Sequence, residues 1–210
     1  SCKTAWGKPV TPKTAHSYYT TLRTALNEAV RERLIESNPW YKLEMAEKIK
    51  VPESKRDFLT IEEIKRMIAT PFFNEQIRQA YLFSCFCGLR ISDIRKLRWR
   101  DISMSGGQRL VSVVMTKTTN PVYIPLSSQA VKWLPERKDC ASEDLVFGGL
   151  PNASNLCVNL KNWADKAGIK KNVTFHTARH SCAVLLLTLG ADIYTVSKIL
   201  GHRSVRATQV

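Results

Sequence analysis

The sequence predicts a mainly α-helical protein with one small antiparallel β-sheet, and three observations lead there. Apolar residues recur at helical spacing over most of the chain. Capping residues and glycine stops punctuate those stretches. Only between about 109 and 124 does the pattern change to strand-like runs, RLVSVVM and VYI. With 210 residues, 44% of them hydrophobic, the chain can bury a real core and suits one medium domain plus a small second one.

In order, residues 1–11 read as a polar, frayed start. Residues 12–36 read as a helix, with Leu22, Leu26, Ala29, Val30 and Leu34 on one stripe and Asn38-Pro39 as its stop. A short helix is expected at 43–49. One or two helices cannot bury a core alone, so residues 1–50 read as the C-terminal part of a helical domain. The charged, proline-containing stretch 51–57 reads as a linker to a second domain over 58–210. Thr60-Ile-Glu-Glu63 is a capping box that opens a helix to about Ala69. A further helix is expected over 75–87 with Gly88 as its stop, then a short one capped by Ser92. The strand at 109–115 follows a Ser105-Gly106-Gly107 turn, and its partner at 122–124 follows a turn near Thr119-Asn120-Pro121. Helices resume at 128–133 and 154–167. Thr174 caps a largely apolar helix that ends at Gly190, and Asp192 starts another that stops at Gly201.

The net charge of +14 implies a polyanionic partner, nucleic acid before an anionic membrane. No apolar run reaches membrane-spanning length, and no signal peptide opens the chain, so the membrane is set aside. Both sides of the 51–57 stretch are basic, with 11 Lys+Arg against 7 Asp+Glu through Asp57 and 21 against 11 beyond it. That balance suits two halves of a clamp around a duplex. The six cysteines form no C-x-x-C pair and fit a reducing, intracellular compartment; Cys85, Cys87 and Cys182 read as small core residues.

Two segments carry candidate chemistry. In CGLRISDIRKLRW, Arg90 stands between a glycine stop and a capping serine, where its guanidinium fork could grip two oxygens of one phosphate; Asp93, three residues on, could orient it. A structural Arg–Asp pair explains the same residues. Arg95, Lys96, Arg98 and Arg100 read as a solvated or DNA-backbone face. In TFHTARHS, His176 and Arg179 share the first turn of a helix, and His202 stands just past a second helix. A buried helix pair with polar ends is the simpler reading of that stretch alone. The i, i+4 spacing of His176 and His180 suggests zinc, but Thr177 stands where the zinc pattern needs glutamate, and Arg179 would set a cation beside the ion. No acidic cluster supports magnesium. Lys117, in TKTT at the proposed hairpin tip, is either solvated or able to deliver a proton.

Taken together and in this order, FLT…EEI, CGLRISDI, the hairpin lysine, TFHTARHS and TVSKILGHRS resemble the catalytic domain of tyrosine recombinases, the phage-type integrases, over about residues 58–210. Residues 12–50 are more weakly similar to the end of the family's core-binding, SAM-like domain. The segments resemble most the integrases of mobile elements in Bacteroides-like bacteria. The resemblance implies a cofactor-free, metal-free enzyme that cuts and rejoins double-stranded DNA through a 3′-phosphotyrosine, works as a homo-tetramer on DNA, and takes no small-molecule substrate. It implies Arg90 and Arg179 as the phosphate-clamping pair, Lys117 as general acid, and His176 and His202 as proton-transfer and phosphate-binding groups. Asp93 and His180 would be supporting residues, and Arg203 and Arg206 would join the 95–100 cations against DNA. It also implies cytoplasmic location at the bacterial nucleoid. The family's tyrosine would fall at position 211, one past Val210, so the chain as given is expected to be inactive in cleavage. Tyr194 reads as a packing residue. A DNA-binding relative without chemistry, and an enzyme like type IB topoisomerase, remain the alternatives.

Overall fold

The computed structural model describes residues 9–50, 56–114, 121–201, 205 and 208. The chain divides into two compact units, residues 1–55 and 56–210.

In the first unit, α1 (Pro12–Arg31) starts at Thr11, whose side chain accepts from the Thr14 N–H, with Pro12 pre-set for the first helical position. The helix stops five residues short of expectation. Arg33 adopts a left-handed φ of 58°, which breaks the helical path before Asn38-Pro39 is reached. The helix expected at 43–49 is absent; instead Asn38 caps a 3-10 turn, Pro39–Lys42. The expected apolar stripe is only partly covered: Leu22 in α1 is 57% exposed, and Leu34, past the end of the helix, 71%.

The second unit is built around α3 (Glu75–Cys87), which is buried on most sides and packs on both α5 (Ser128–Lys132) and α7 (Phe175–Thr188). The capping box at Thr60 and Glu63 opens α2 (Ile61–Ala69) as expected. Lys171 reaches back to this cap, donating to Glu63 at 2.7 Å and to the Phe58 carbonyl at 2.9 Å. From α6 (Ala153–Lys166), Trp163 stacks on Phe72, meets the edge of Tyr81, and donates its indole N–H to the Thr70 carbonyl at 3.1 Å.

The sheet has three antiparallel strands in the order β1 (Ile102–Ser105), β2 (Gln108–Val114), β3 (Pro121–Pro125). Strand β1 is not expected from the sequence, where Ser105-Gly106-Gly107 reads only as a lead-in turn. That stretch is the two-residue loop of a hairpin: Ser105 pairs with Gln108, and Gly106 and Gly107 take φ values of 56° and 79°. Such double-positive turns match the twist of paired strands, and glycine enters them without strain. Val111, Val113 and Ile124 face the core. The expected second turn lies outside the described residues, as does most of the 51–57 linker.

Candidate active site

The site is assembled where the ends of three helices meet. α3 stops at Gly88, whose φ of 74° reverses the chain. Packing requires glycine there as well: a Cβ would lie 2.5 Å from Leu200 Cδ2 and 3.3 Å from Cys182 Sγ. Leu89 is fully buried, and its carbonyl accepts from the Ser84 hydroxyl at 2.9 Å. The backbone is therefore fixed just before Arg90. Arg90, not Ser92, occupies the N-cap of α4 (Ile91–Ile94); Ser92 lies inside the helix and gives its hydroxyl to Asp93 at 3.3 Å.

The start of α7 is held by a reciprocal threonine cap. The Thr177 N–H donates to the Thr174 hydroxyl at 3.3 Å, and the Thr174 N–H donates to the Thr177 hydroxyl at 3.2 Å. Thr177 also donates to the Asn172 carbonyl at 2.7 Å. Its position in H-x-x-R-H is thus spent on fixing the helix turn that carries His176 and Arg179. Ser181, one turn on, accepts from the Leu59 N–H at 2.7 Å and pins α7 to the start of the unit.

His176 is exposed on this turn, whereas Arg179 is only 5% exposed. The Arg179 guanidinium donates through Nη1 to the Gly88 carbonyl at 2.6 Å and through Nη2 to the Leu200 carbonyl. It thereby ties the end of α3 to the end of α8 (Ile193–Ile199), two residues from Arg90. Burial first, and then the positive charge of Arg90, lower its pKa to about 10, while the Asp93 carboxylate opposes the shift. Arg179 is still a cation at neutral pH. Two guanidinium groups far apart in the sequence are therefore electrostatic neighbours, and an anion between them would relieve their repulsion.

Asp93 is 6% exposed, and its Oδ2 is buried without a hydrogen-bond partner. Sequence spacing pairs it with Arg90; in the structure its charge also acts on Arg179. His180 is half-buried. Burial first, then the charges of Arg56, His176 and Arg179, push its pKa down, so it is neutral at pH 7. Behind the site, burial pushes the Cys182 thiol up to about 12, with Arg179 pulling the other way, which leaves an inert packing group.

The 95–100 cations do not form the expected single face. Arg95 donates to the carbonyls of Leu150 and Pro151, and Arg98 to the carbonyl of Glu143, so both tether the loop ahead of α6. Arg100 forms a two-point ion pair with Glu143, at 2.7 and 2.8 Å. Lys96 is exposed. The sequence hides this because the 142–151 loop shows no periodicity to announce its return to Trp99 and Arg100. Tyr194 is 59% exposed, with the Lys198 ammonium over its ring, rather than packed as expected. Lys117, His202, Arg203 and Arg206 lie outside the described residues. Nothing in the sequence marks the Gly88 and Leu200 carbonyls as anchors for Arg179.

The second unit is a mainly helical domain with a small three-stranded antiparallel sheet, the architecture of tyrosine recombinase catalytic domains. A solved transposon Tn1549 integrase in complex with a circular intermediate DNA superposes with a TM-score of 0.73 at 17% identity, over 95% of this chain and 74% of that one. A lambda integrase dimer bound to a core site gives 0.71 at 20% identity, over 93% and 74%. Residues 57–210 match the phage integrase family and residues 3–49 the phage integrase SAM-like domain, and the chain belongs to the phage integrase family. Among curated relatives, a tyrosine recombinase of Thermosipho africanus is 32% identical over 94% of this chain and 70% of its own length. One from Pseudothermotoga lettingae is 29% identical over 90% and 66%. Tyrosine recombinase XerD of Pseudomonas putida is 28% identical over 95% and 70%. The chain spans about two thirds of the length of these relatives. Among the described residues no helix is long and apolar enough to cross a membrane.

Proposed function

We propose that the chain is the phosphate-gripping part of a site-specific DNA recombinase. The observation that supports this reading is that Arg179, buried on two backbone carbonyls, feels the positive charge of Arg90, which stands at a neighbouring helix cap. A phosphodiester already carries a full charge, and attack by an anion adds more. Two guanidinium groups, one of them anchored on backbone carbonyls, would offset that charge with little reorganisation. Family membership supports the remaining roles in this reading. A tyrosine at position 211 attacks phosphorus, the P–O5′ bond breaks, and Lys117 gives a proton to the departing oxygen. His176 assists proton transfer, and His202 donates to a nonbridging oxygen. The energy of the broken ester is kept in the 3′-phosphotyrosine, so a second DNA end can reverse the step without a cofactor.

Double-stranded DNA is the partner, and four copies assemble on two sites. The chain works in the bacterial cytoplasm. The test is a suicide substrate, a nicked duplex from which the cleaved end diffuses away, offered to the chain continued past Val210. The supporting result is a covalent protein–DNA adduct that resists boiling in detergent and disappears when the tyrosine at the next position is changed to phenylalanine. Intact DNA under conditions of full binding rejects the reading in favour of a binding relative without chemistry.

A further inference from the structure

We infer that Ser181 is a positioning residue: its hydroxyl fastens the first turns of α7, which carry His176 and Arg179, to residues 56–59, where the chain enters the second unit. Its effect on cleavage rests on the recombinase reading; the fastening rests on geometry alone. Ser181 is fully buried, and its hydroxyl is used twice. It donates to the Thr177 carbonyl at 2.8 Å and accepts from the Leu59 N–H at 2.7 Å, across 122 positions of sequence. The first bond is ordinary for a serine inside a helix; it adds little and tends to bend the helix. The second bond accounts for the hydroxyl. Leu59 is buried, so its N–H needs an acceptor inside the protein.

Other contacts run beside it. Lys171 donates to the Phe58 carbonyl at 2.9 Å and stands 5.4 Å from the centre of the Phe58 ring. The Asn172 N–H donates to the Asp57 carboxylate at 3.4 Å, and the Asn172 carbonyl accepts from the Thr177 hydroxyl at 2.7 Å. The positive charge of Arg56 acts on His180, the neighbour of Ser181. Residues 56–59 thus form a strap along the 171–181 segment. Hydrogen bonds close a ring from Asp57 through Asn172, Thr177 and Ser181 back to Leu59. That ring holds the turn on which His176 and Arg179 stand. The Arg179 guanidinium is tied at its far end to the Gly88 and Leu200 carbonyls, and the ring ties the backbone it springs from. A site group held at both ends keeps its aim.

The experiment measures DNA affinity and single-turnover cleavage of the suicide substrate at saturating DNA, in the chain continued past Val210. Ser181→Ala removes the acceptor of the Leu59 N–H. Lys171→Met, at a partly exposed position, loosens the strap from another side and decides the matter if the first variant does not fold. Each is expected to slow cleavage about tenfold or more while affinity stays at the parental value. Leu160→Ala, a cut in the core at α6, controls for stability alone: it should melt at least as early as Ser181→Ala and still cut near the parental rate. A folded strap variant that cuts at the parental rate, a loss confined to affinity, or an equal loss in Leu160→Ala overturns the inference. The 210-residue chain gives a readout that needs no cleavage. Loosening the strap takes Arg56 away from His180, so Ser181→Ala should raise the His180 titration midpoint followed by proton NMR. An unmoved midpoint overturns the fastening. If the midpoint moves and the parent yields no adduct, the recombinase reading fails and the fastening stands. If the parent yields adduct and the strap variants match it, the inference fails and the recombinase reading stands.

Discussion

Arg179 holds the Gly88 and Leu200 carbonyls through its Nη atoms, and in the proposed function the same guanidinium also grips an anion beside Arg90. Lysine, a point charge on a flexible stem, cannot span two carbonyls and a phosphate. Arg179→Lys should therefore keep the fold, checked by melting, and lower cleavage by about a hundredfold or more with little loss of DNA binding. Adduct formation at the parental rate would remove Arg179 from the chemistry. His180 gives a pH signature. Its folded pKa lies below the unfolded value of about 6.5, so the unfolded chain binds a proton that the folded chain resists. Its contribution is intact above that value and is lost as pH falls through it toward the folded pKa. The melting temperature should drop as pH falls below about 6.5, and His180→Gln should flatten that slope. An identical slope in the variant would show that other groups dominate.

At the level of elements, the ends of helices position the site. Gly88→Ala would force a side chain into a left-handed turn and against Leu200. The expected cost is about 1–3 kcal/mol in denaturant unfolding, with cleavage lost as Arg90 shifts. A neutral Gly88→Ala would contradict the packing described. Caps and stops of this kind are local chemistry, and Thr60, Glu63, Thr174, Gly88 and Asp192 are legible in the sequence for that reason. The elements that escape depend on distant partners. β1 has no strand-like run of its own and is defined by pairing with β2 across two glycines. α4 is a single turn, and beyond it Trp99 and Arg100 hydrogen-bond through their backbone N–H groups to the Asp144 and Ser142 carbonyls. Arg95 and Arg98 read as part of a solvated or DNA-backbone face because sequence spacing cannot reveal a loop that returns from far along the chain. The arginine pair itself is legible only as a family pattern; its meeting point is made by Gly88 and Leu200 backbone atoms, which no side-chain motif announces.

Across the whole molecule the excess of 14 positive charges should make DNA binding strongly electrostatic. Each phosphate contact releases counterions, so affinity should fall on the order of a thousandfold between about 50 and 200 mM salt. Binding that ignores salt would rule out the polyanion picture. The central claim is that Arg90 and Arg179 act on one phosphate as a unit, and a double-mutant cycle of single-turnover cleavage in the chain continued past Val210 tests it most directly. Arg90→Ala, Arg179→Ala and the double variant are compared at saturating DNA. The account predicts that the double variant is barely slower than the worse single one, because removing either member already disables the pair. Losses that multiply across the cycle, or a single variant that cuts at the parental rate, would contradict it.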